Sequence, residues 1–169
     1  MRPTKSLKSR ALDLLSRREY GRAELKKKLM AAHKPDEDAA ADEDKLNESR
    51  SQHEAEVEAV LTEFADLDWQ SDERYVESFI NAKSQQYGSR RLQESLKQKG
   101  IDADLFQQFR PDTETELTTA IAAVRKKFKQ PPASMADRHK QMRFLAYRGF
   151  DFDLVNKAMA AWDDWAEED

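Results

Sequence analysis

The chain has 169 residues, of which 37% are charged, and it contains 4 glycines, 5 prolines and no cysteine. This composition favours a helical, highly solvated protein over a sheet protein, and it excludes disulfides and thiolate metal sites. No apolar run approaches the roughly 18–20 residues of a membrane span, and the basic N-terminus lacks the apolar region of a signal peptide. We therefore expect a protein of the reducing cytoplasm, without a membrane partner.

The net charge of -4 conceals a strong asymmetry along the chain. Residues 5–28 hold nine basic side chains against three acidic ones, and residues 125–148 hold eight against one. Residues 36–56 are acidic instead, with nine acidic side chains against two basic ones. A mildly acidic total thus permits a polyanionic partner, because such binding depends on local basic faces.

Two helices are predicted before the first break in the pattern. The first covers residues 5–18 and carries an apolar stripe at helical spacing. Tyr20-Gly21 ends the first helix, and the second helix covers residues 22–30 with Leu25 and Leu29 facing inward.

Residues 34–52 lack apolar periodicity and are rich in acidic side chains, alanine and serine. We interpret them as a solvated acidic insertion in which the alanines form at most transient helix. A DNA-mimicking decoy that covers a basic face is the alternative, and the simple linker is favoured over it.

Regular helices resume after the insertion, at residues 54–67, 72–86 and 89–99. Ser71 or Asp72 is the candidate N-cap of the middle one. Gly100 follows the third, where a helix end favours a residue that tolerates positive φ.

The C-terminal part predicts four more helices. Asp102 is expected to cap a short helix that Pro111 ends. Thr113 and Glu116 have the spacing of a capping box at the start of the next one. A helix over residues 135–148 follows, with Met142 and Leu145 as core positions. Gly149 ends this helix, and Asp151 is expected to cap the last one.

Parts of the chain repeat. Tyr20-Gly21 aligns with Tyr87-Gly88, and the same shift superposes Leu25 on Leu92 and Leu29 on Leu96. A second shift superposes Gly100 on Gly149, Leu96 on Leu145, Asp102 on Asp151 and Leu105 on Leu154. Chance similarity between amphipathic helices is the alternative, but it would not align the glycines, the capping aspartates and the leucines in the same order in each copy. The pattern predicts three stacked groups of three helices, at residues 1–70 (with the insertion at about 34–52), 71–111 and 112–169.

The ordered motifs resemble those of the RecX family, bacterial regulators of the RecA recombinase. The resemblance covers about residues 5–165 and includes YGRAELKKKL, SDERYVESFI and YGSRRLQESLKQKGIDADL. Two departures concern the surface: Ala32-His33-Lys34 stands where a glycine stop is usual, and the third repeat lacks the Tyr-Gly pair.

The resemblance implies an all-α protein of three tandem three-helix repeats that form an elongated, curved body. It further implies binding along the groove of the RecA nucleoprotein filament and inhibition of its recombinase, ATPase and coprotease activities. DNA repair and the SOS response would be modulated in this way. A monomer is expected.

The residues themselves indicate no catalysis. His33, His53 and His139 lack metal-site spacing, and surface histidine is the favoured interpretation. No phosphate-binding glycine loop is present. We therefore expect neither an enzyme nor a cofactor or metal.

Basic side chains at recurring places are the candidate contacts to a RecA filament or to DNA. They are Arg22, Lys26, Lys27, Lys28, Arg90, Arg91, Lys97, Lys99, Arg125, Lys126, Lys127, Lys129, Arg138, Lys140, Arg143 and Arg148. For an isolated cluster of this kind, a solvated helix face is the favoured interpretation, and only the recurrence of the clusters makes a binding surface equally favoured. Stacked repeats would align the clusters along one surface.

The alternative function is direct binding to single- or double-stranded DNA through this basic face. Tyr20, Tyr87 and Tyr147 lie near the basic residues in sequence and could stack on bases. Core packing is the favoured interpretation of all three.

Overall fold

The computed structural model of the protein describes residues 5–35 and 40–165, with side chains described as far as Trp162. Within these residues the secondary structure is nine α-helices and no strand, so the predicted all-α class is confirmed. The helices are α1 (Leu7–Leu15), α2 (Arg22–Met30), α3 (Glu43–Asp66), α4 (Asp72–Lys83), α5 (Ser89–Lys97), α6 (Ala103–Phe109), α7 (Thr113–Phe128), α8 (Met135–Tyr147) and α9 (Phe152–Trp165).

The chain divides into two compact units. The first unit comprises Met1–Tyr75 with Lys99–Ile101, and the second comprises Val76–Gln98 with Asp102–Asp169. Both units therefore draw on more than one of the predicted repeats.

The core of the first unit lies where α1, α2 and α3 pack together. Leu25 and Leu29 of α2 are fully buried, as predicted, and they meet the apolar stripe of α3. That stripe consists of Val57, Val60, Leu61 and Phe64. Its helical spacing places all four side chains on one face, so a single helix closes this core.

The core of the second unit lies where α7, α8 and α9 pack together. Its largest buried side chain is Trp162, whose Nε1 donates a hydrogen bond to Gln141 Oε1 over 2.9 Å. Gln141 Nε2 in turn donates to the Gln130 carbonyl. These two bonds satisfy polar atoms that burial would otherwise leave without water.

Helix α3 begins at Glu43 rather than near residue 54, so the prediction of at most transient helix is wrong for residues 43–52, although these residues are solvated as predicted. Asp42 caps the helix by accepting from the Asp44 and Lys45 amides, and acidic residues in the first turn complement the helix dipole. This extension buries no side chain and so carries no apolar periodicity. Residues 36–39 lie outside the described part.

The two glycine stops behave as predicted. Gly100 has φ of +79° and Gly149 has φ of +89°, which L side chains rarely adopt. At Gly149 a Cβ atom would also lie 2.5 Å from the Arg91 nitrogen. The predicted cap at Asp102 is confirmed as well, since its carboxylate accepts from the Asp104 amide over 2.8 Å.

Helices α2 and α5 begin after glycines, which have no side chain with which to cap them. A distant carboxylate does so instead. Asp72 Oδ1 accepts from the Arg22 amide over 2.7 Å. Glu116 Oε1 accepts from the Ser89 amide over 2.6 Å, and Glu116 Oε2 accepts from the Ser89 hydroxyl over 2.8 Å. Each Tyr-Gly helix thus receives its cap from the first helix of the next predicted repeat, α4 for α2 and α7 for α5.

The predicted capping box of Thr113 and Glu116 is therefore wrong. Asp112 caps α7 by accepting from the Thr115 amide over 2.7 Å. Glu116 is buried and its carboxylate is turned toward Ser89. The buried Ser89 amide needs an acceptor more than the exposed start of α7 does, because water can serve an exposed amide.

Candidate functional site

In the first repeat, two of the predicted basic residues are paired with α3. An Arg22 guanidinium nitrogen lies 2.7 Å from Glu58, and Lys26 Nζ lies 2.6 Å from Glu54 and 2.8 Å from Glu58. Hydrogen bonds to Glu54 and Glu58 raise the pKa of Lys26, and hydrogen bonds from Lys26 and Arg22 lower the pKa of Glu58. The positive charge of this face is therefore partly neutralised within the protein.

The other candidate residues of the first unit are Lys27, Lys28 and Lys99, of which Lys99 is half-buried. Lys27 and Lys28 are exposed, and Lys28 Nζ lies 5.8 Å from the centre of the Tyr20 ring. Lys99 Nζ lies 3.9 Å from Glu24 Oε2, which also accepts a hydrogen bond from Arg18 Nη1 over 3.3 Å. Lys97, in the second unit, is exposed at the end of α5.

In the second unit, two predicted arginines stack on tyrosines, and we name this group the arginine–tyrosine cluster (Tyr87, Arg91, Tyr147 and Arg148). The guanidinium carbon of Arg91 lies 4.8 Å from the Tyr87 ring centre and 5.2 Å from that of Tyr147. The guanidinium carbon of Arg148 lies 5.5 Å from the Tyr87 ring centre. These distances suit cation–π attraction, which orients both cations.

Backbone carbonyls hold the same two arginines. Arg91 Nη1 donates to the Tyr147 carbonyl over 3.1 Å, and Arg148 Nη1 donates to the Gln86 carbonyl over 3.0 Å. Each guanidinium has further N–H groups available for a partner. Because both side chains are already held in place, less conformational entropy is lost when these N–H groups bind a partner.

The prediction of core packing is confirmed for Tyr20 and wrong for Tyr147. Tyr20 is 7% exposed and belongs to the first core, whereas Tyr147 is 78% exposed. Tyr147 is the last residue of α8, on the side of the helix away from Leu145 and Gln141. Its ring is thus available to a partner.

A groove of about 450 Å³ runs beside α8 in the second unit. We name it the α8 groove. Its lining is Arg90, His139, Met142, Arg143, Ala146, Phe150, Phe152 and Val155. Two of the predicted basic residues, Arg90 and Arg143, therefore meet at one site with apolar side chains between them. Phe152 is 70% exposed, which is unusual for phenylalanine.

The charges at the α8 groove are only partly balanced. Asp151 lies 3.9 Å from Arg90 and 3.6 Å from Arg110, distances too long for strong pairing. Arg143 is exposed and has no acidic partner among the described residues. The groove is therefore apolar within and positively charged at its borders.

The α8 groove was not predicted, and Met142, predicted as a core position, lines it and is only partly buried. One signal was present in the sequence. The shift that superposes Gly100 on Gly149 also superposes Ala103 on Phe152. Both residues are exposed at the start of a helix, so the third repeat carries a large aromatic ring where packing requires none.

The remaining basic residues of the third repeat do not line the groove. Lys126, Lys127, Lys129 and Lys140 are exposed, whereas Arg125 and Arg138 are half-buried. The Arg125 guanidinium carbon lies 5.4 Å from the Trp162 ring centre, so this arginine also serves the core.

The histidines do not form a metal site in the described part of the chain, where no cluster of three or more metal-ligating side chains occurs. His33 and His53 stack with ring centres 4.4 Å apart. His53 Nε2 also lies 3.2 Å from the Leu29 carbonyl. Both rings are therefore structural contacts that join α3 to the end of α2 and the segment after it, and they are not isolated surface groups. None of the described helices is both long and apolar enough to cross a membrane.

Solved structures define the class of protein to which this fold belongs. The crystal structure of RecX from Lactobacillus salivarius matches with a TM-score of 0.69 at 18% identity, over 93% of this chain and 94% of that one. A crystal structure described as regulatory protein RecX matches with a TM-score of 0.68 at 21% identity, over 94% of this chain and 71% of that one. The class that this fold defines is thus an all-α protein.

Sequence comparisons identify the family. Family models of the second and third three-helix domains of RecX match residues 71–108 and 114–159. A regulatory protein RecX of Neisseria meningitidis serogroup B is 47% identical over 100% of this chain and 99% of its own length. One from Chromobacterium violaceum is 40% identical over 97% of both chains. The chain belongs to the RecX family, whose members carry the name of regulatory proteins and not of enzymes.

Proposed function

We propose that the protein binds the RecA nucleoprotein filament and inhibits its recombinase, ATPase and coprotease activities, thereby modulating DNA repair and the SOS response. Family membership supports the regulatory role. The contact surface is assigned from one observation: four of the candidate arginines lie at two sites in the second unit. Arg90 and Arg143 line the α8 groove, and Arg91 and Arg148 belong to the arginine–tyrosine cluster.

Arginine suits contacts to acidic side chains or phosphates. Its planar guanidinium can bind a carboxylate or phosphate through two parallel hydrogen bonds, and it is less strongly hydrated than a lysine ammonium. Arg22 and Lys26 already have acidic partners, so binding through them would first break ion pairs. We therefore assign the larger share of binding to the second unit.

Direct DNA binding is the second candidate, and the exposed lysines at the end of α7 favour it. Lys126, Lys127 and Lys129 lie within one turn and its cap. Contacts of this kind to phosphates release counterions, so affinity would fall steeply with added salt. Binding to naked single-stranded DNA as tight as binding to filaments would support this candidate over the first.

The main proposal is tested by titrating the protein into filaments of RecA on single-stranded DNA while following ATP hydrolysis and filament length. We expect both to decrease as the filament surface becomes occupied. An absence of effect at every ratio of the two proteins would rule the proposal out.

Charge reversal tests the assigned surface. We expect the double variant Arg90→Glu and Arg143→Glu to need a concentration at least about tenfold higher for half-inhibition. Each lost contact removes roughly 1 kcal/mol or less of binding free energy, and the introduced carboxylates add repulsion, which together weaken binding about tenfold. The matched control is Lys83→Glu combined with Lys157→Glu, two exposed lysines outside the candidate set. Equal inhibition by both double variants would show that the surface is wrongly assigned.

A further inference from the structure

We propose that the α8 groove binds a protein segment in which one large apolar side chain is flanked by carboxylates. This inference rests on the proposed function, because it specifies the chemistry of the partner at that same surface. The inference assigns the groove to a protein partner, and any DNA would be bound by basic residues outside the groove. Shape, lining and charge each support it.

The size of the groove fits a side chain. The volume of about 450 Å³ is larger than one aromatic or branched aliphatic side chain. The partner's backbone next to that side chain can therefore also enter the groove. Met142, Phe150 and Val155 form its apolar lining. An apolar side chain inserted there would remove apolar surface from water on both partners, which drives association.

Phe152 points to the same occupant. Its ring remains 70% exposed although it begins a helix whose later residues are buried in the core. A large exposed apolar side chain at the edge of a groove, beside cations, is typical of an interaction site. Covering this ring with an apolar partner side chain would complete its packing.

The flanking charges select carboxylates. Arg90 is exposed and only weakly paired with Asp151, and Arg143 has no acidic partner among the described residues. His139 adds a third nitrogen-bearing side chain to the lining. Asp151 is shared between Arg90 and Arg110, at 3.9 Å and 3.6 Å, so it balances neither cation fully. A partner with acidic residues beside its apolar side chain would therefore match both properties.

Nucleic acid fits this groove less well. Phosphates follow rows of cations on solvated surfaces, and they gain nothing from a lining of Met142, Ala146 and Val155. Bases stack on flat exposed rings, and the lining offers only those of Phe152 and His139, since Phe150 is buried. The exposed lysines of α7 are better suited to DNA, and they lie outside the groove.

The first experiment probes the groove directly, on the full chain labelled with ¹³C-methyl methionine. The probe is a short synthetic peptide with one tryptophan among aspartates and glutamates. We expect the Met142 methyl signal to shift and saturate, while Met135, exposed on α8 but outside the groove, stays unchanged. Two control peptides replace the tryptophan with serine or the acids with lysines, and both should bind at least tenfold more weakly.

Two results of this titration would overturn the proposal. One is an unchanged Met142 signal with the acidic tryptophan peptide. The other is an equal response to the lysine peptide, which would mean that charge plays no part in recognition.

The second experiment uses RecA filaments and naked single-stranded DNA in parallel. We expect Phe152→Ser to lose at least tenfold in filament inhibition and to keep its affinity for naked DNA. The matched control, Met135→Ser, changes an equally exposed apolar residue outside the groove and should inhibit normally. Because Phe152 is exposed, urea unfolding should show that both variants remain folded.

The outcomes separate this inference from the proposed function. If Phe152→Ser inhibits filaments as wild type does, the groove assignment is wrong and the function stands. If Phe152→Ser loses affinity for naked DNA in parallel, the occupant is nucleic acid and the inference is wrong. If wild type inhibits no filament but its Met142 signal still responds to the acidic peptide, the function fails and the groove assignment stands.

Discussion

At the scale of single residues, the most informative contacts are the carboxylates that cap α2 and α5 from another helix. Gly21 and Gly88 allow close packing at these helix starts, but they cannot cap them. A Cβ at Gly21 would lie 3.1 Å from the Tyr75 ring, and one at Gly88 would collide with the Gly149 carbonyl. Close approach excludes a local capping side chain, so the acceptor has to come from elsewhere.

Glu116→Gln tests this cap. An amide keeps the shape of the side chain, but its nitrogen cannot accept from Ser89, and the negative charge at the helix N-terminus is lost. We expect the free energy of unfolding to fall by about 2 kcal/mol, as for a buried hydrogen bond to a charged group. Urea unfolding followed by circular dichroism measures this change.

The matched control is Glu114→Gln, an exposed residue in the same first turn of α7. It removes the same charge without touching Ser89, and we expect a change within about 0.5 kcal/mol. Equal destabilisation by both variants would mean that the charge of the α7 N-terminus matters and the buried cap does not.

At the scale of helices, α3 differs most from its prediction. Its C-terminal part carries the apolar stripe of the first core, whereas residues 43–53 have no buried side chain. The N-terminal part is held by the Asp42 cap, by continuation from the anchored part and by a contact of 3.2 Å between Ser49 and His33. Helix formation is cooperative, so an anchored helix extends beyond its packed residues.

Amide hydrogen exchange should resolve these two parts of α3. We expect the amides of residues 46–52 to exchange at least about tenfold faster than those of residues 57–66, because opening the first part breaks no core contact. Mass spectrometry of overlapping peptides, or NMR, measures the difference. Uniform protection along α3 would contradict this view and would indicate that the acidic part is stabilised as strongly as the core.

At the scale of the whole molecule, the compact units do not coincide with the predicted repeats. The first unit extends to Tyr75 and includes Lys99–Ile101, so residues from beyond the predicted boundary at 70 complete it. Tyr75 and Ile101 are 4% and 5% exposed, and both adjoin Gly21. We therefore expect that the first repeat does not fold independently of the second.

Truncated chains test this organisation. We expect a fragment of residues 1–70 to lose cooperative thermal unfolding, because it lacks the Asp72 cap of α2 and two buried side chains. A fragment of residues 1–101 contains the whole first unit and should unfold with a clear transition. Circular dichroism during heating measures both. A transition of equal sharpness for the shorter fragment would show that the first repeat folds alone.

The sequence by itself determined the all-α class, the apolar faces of the helices, the glycine stops and the Asp102 cap, because these depend on neighbours within a few residues. It also carried the family motifs. Only the tertiary structure decided the cap on Ser89, the exposure of Tyr147 and the α8 groove. These depend on residues far apart in the chain: Glu116 meets Ser89, and Arg90 meets Arg143, only after the helices have packed.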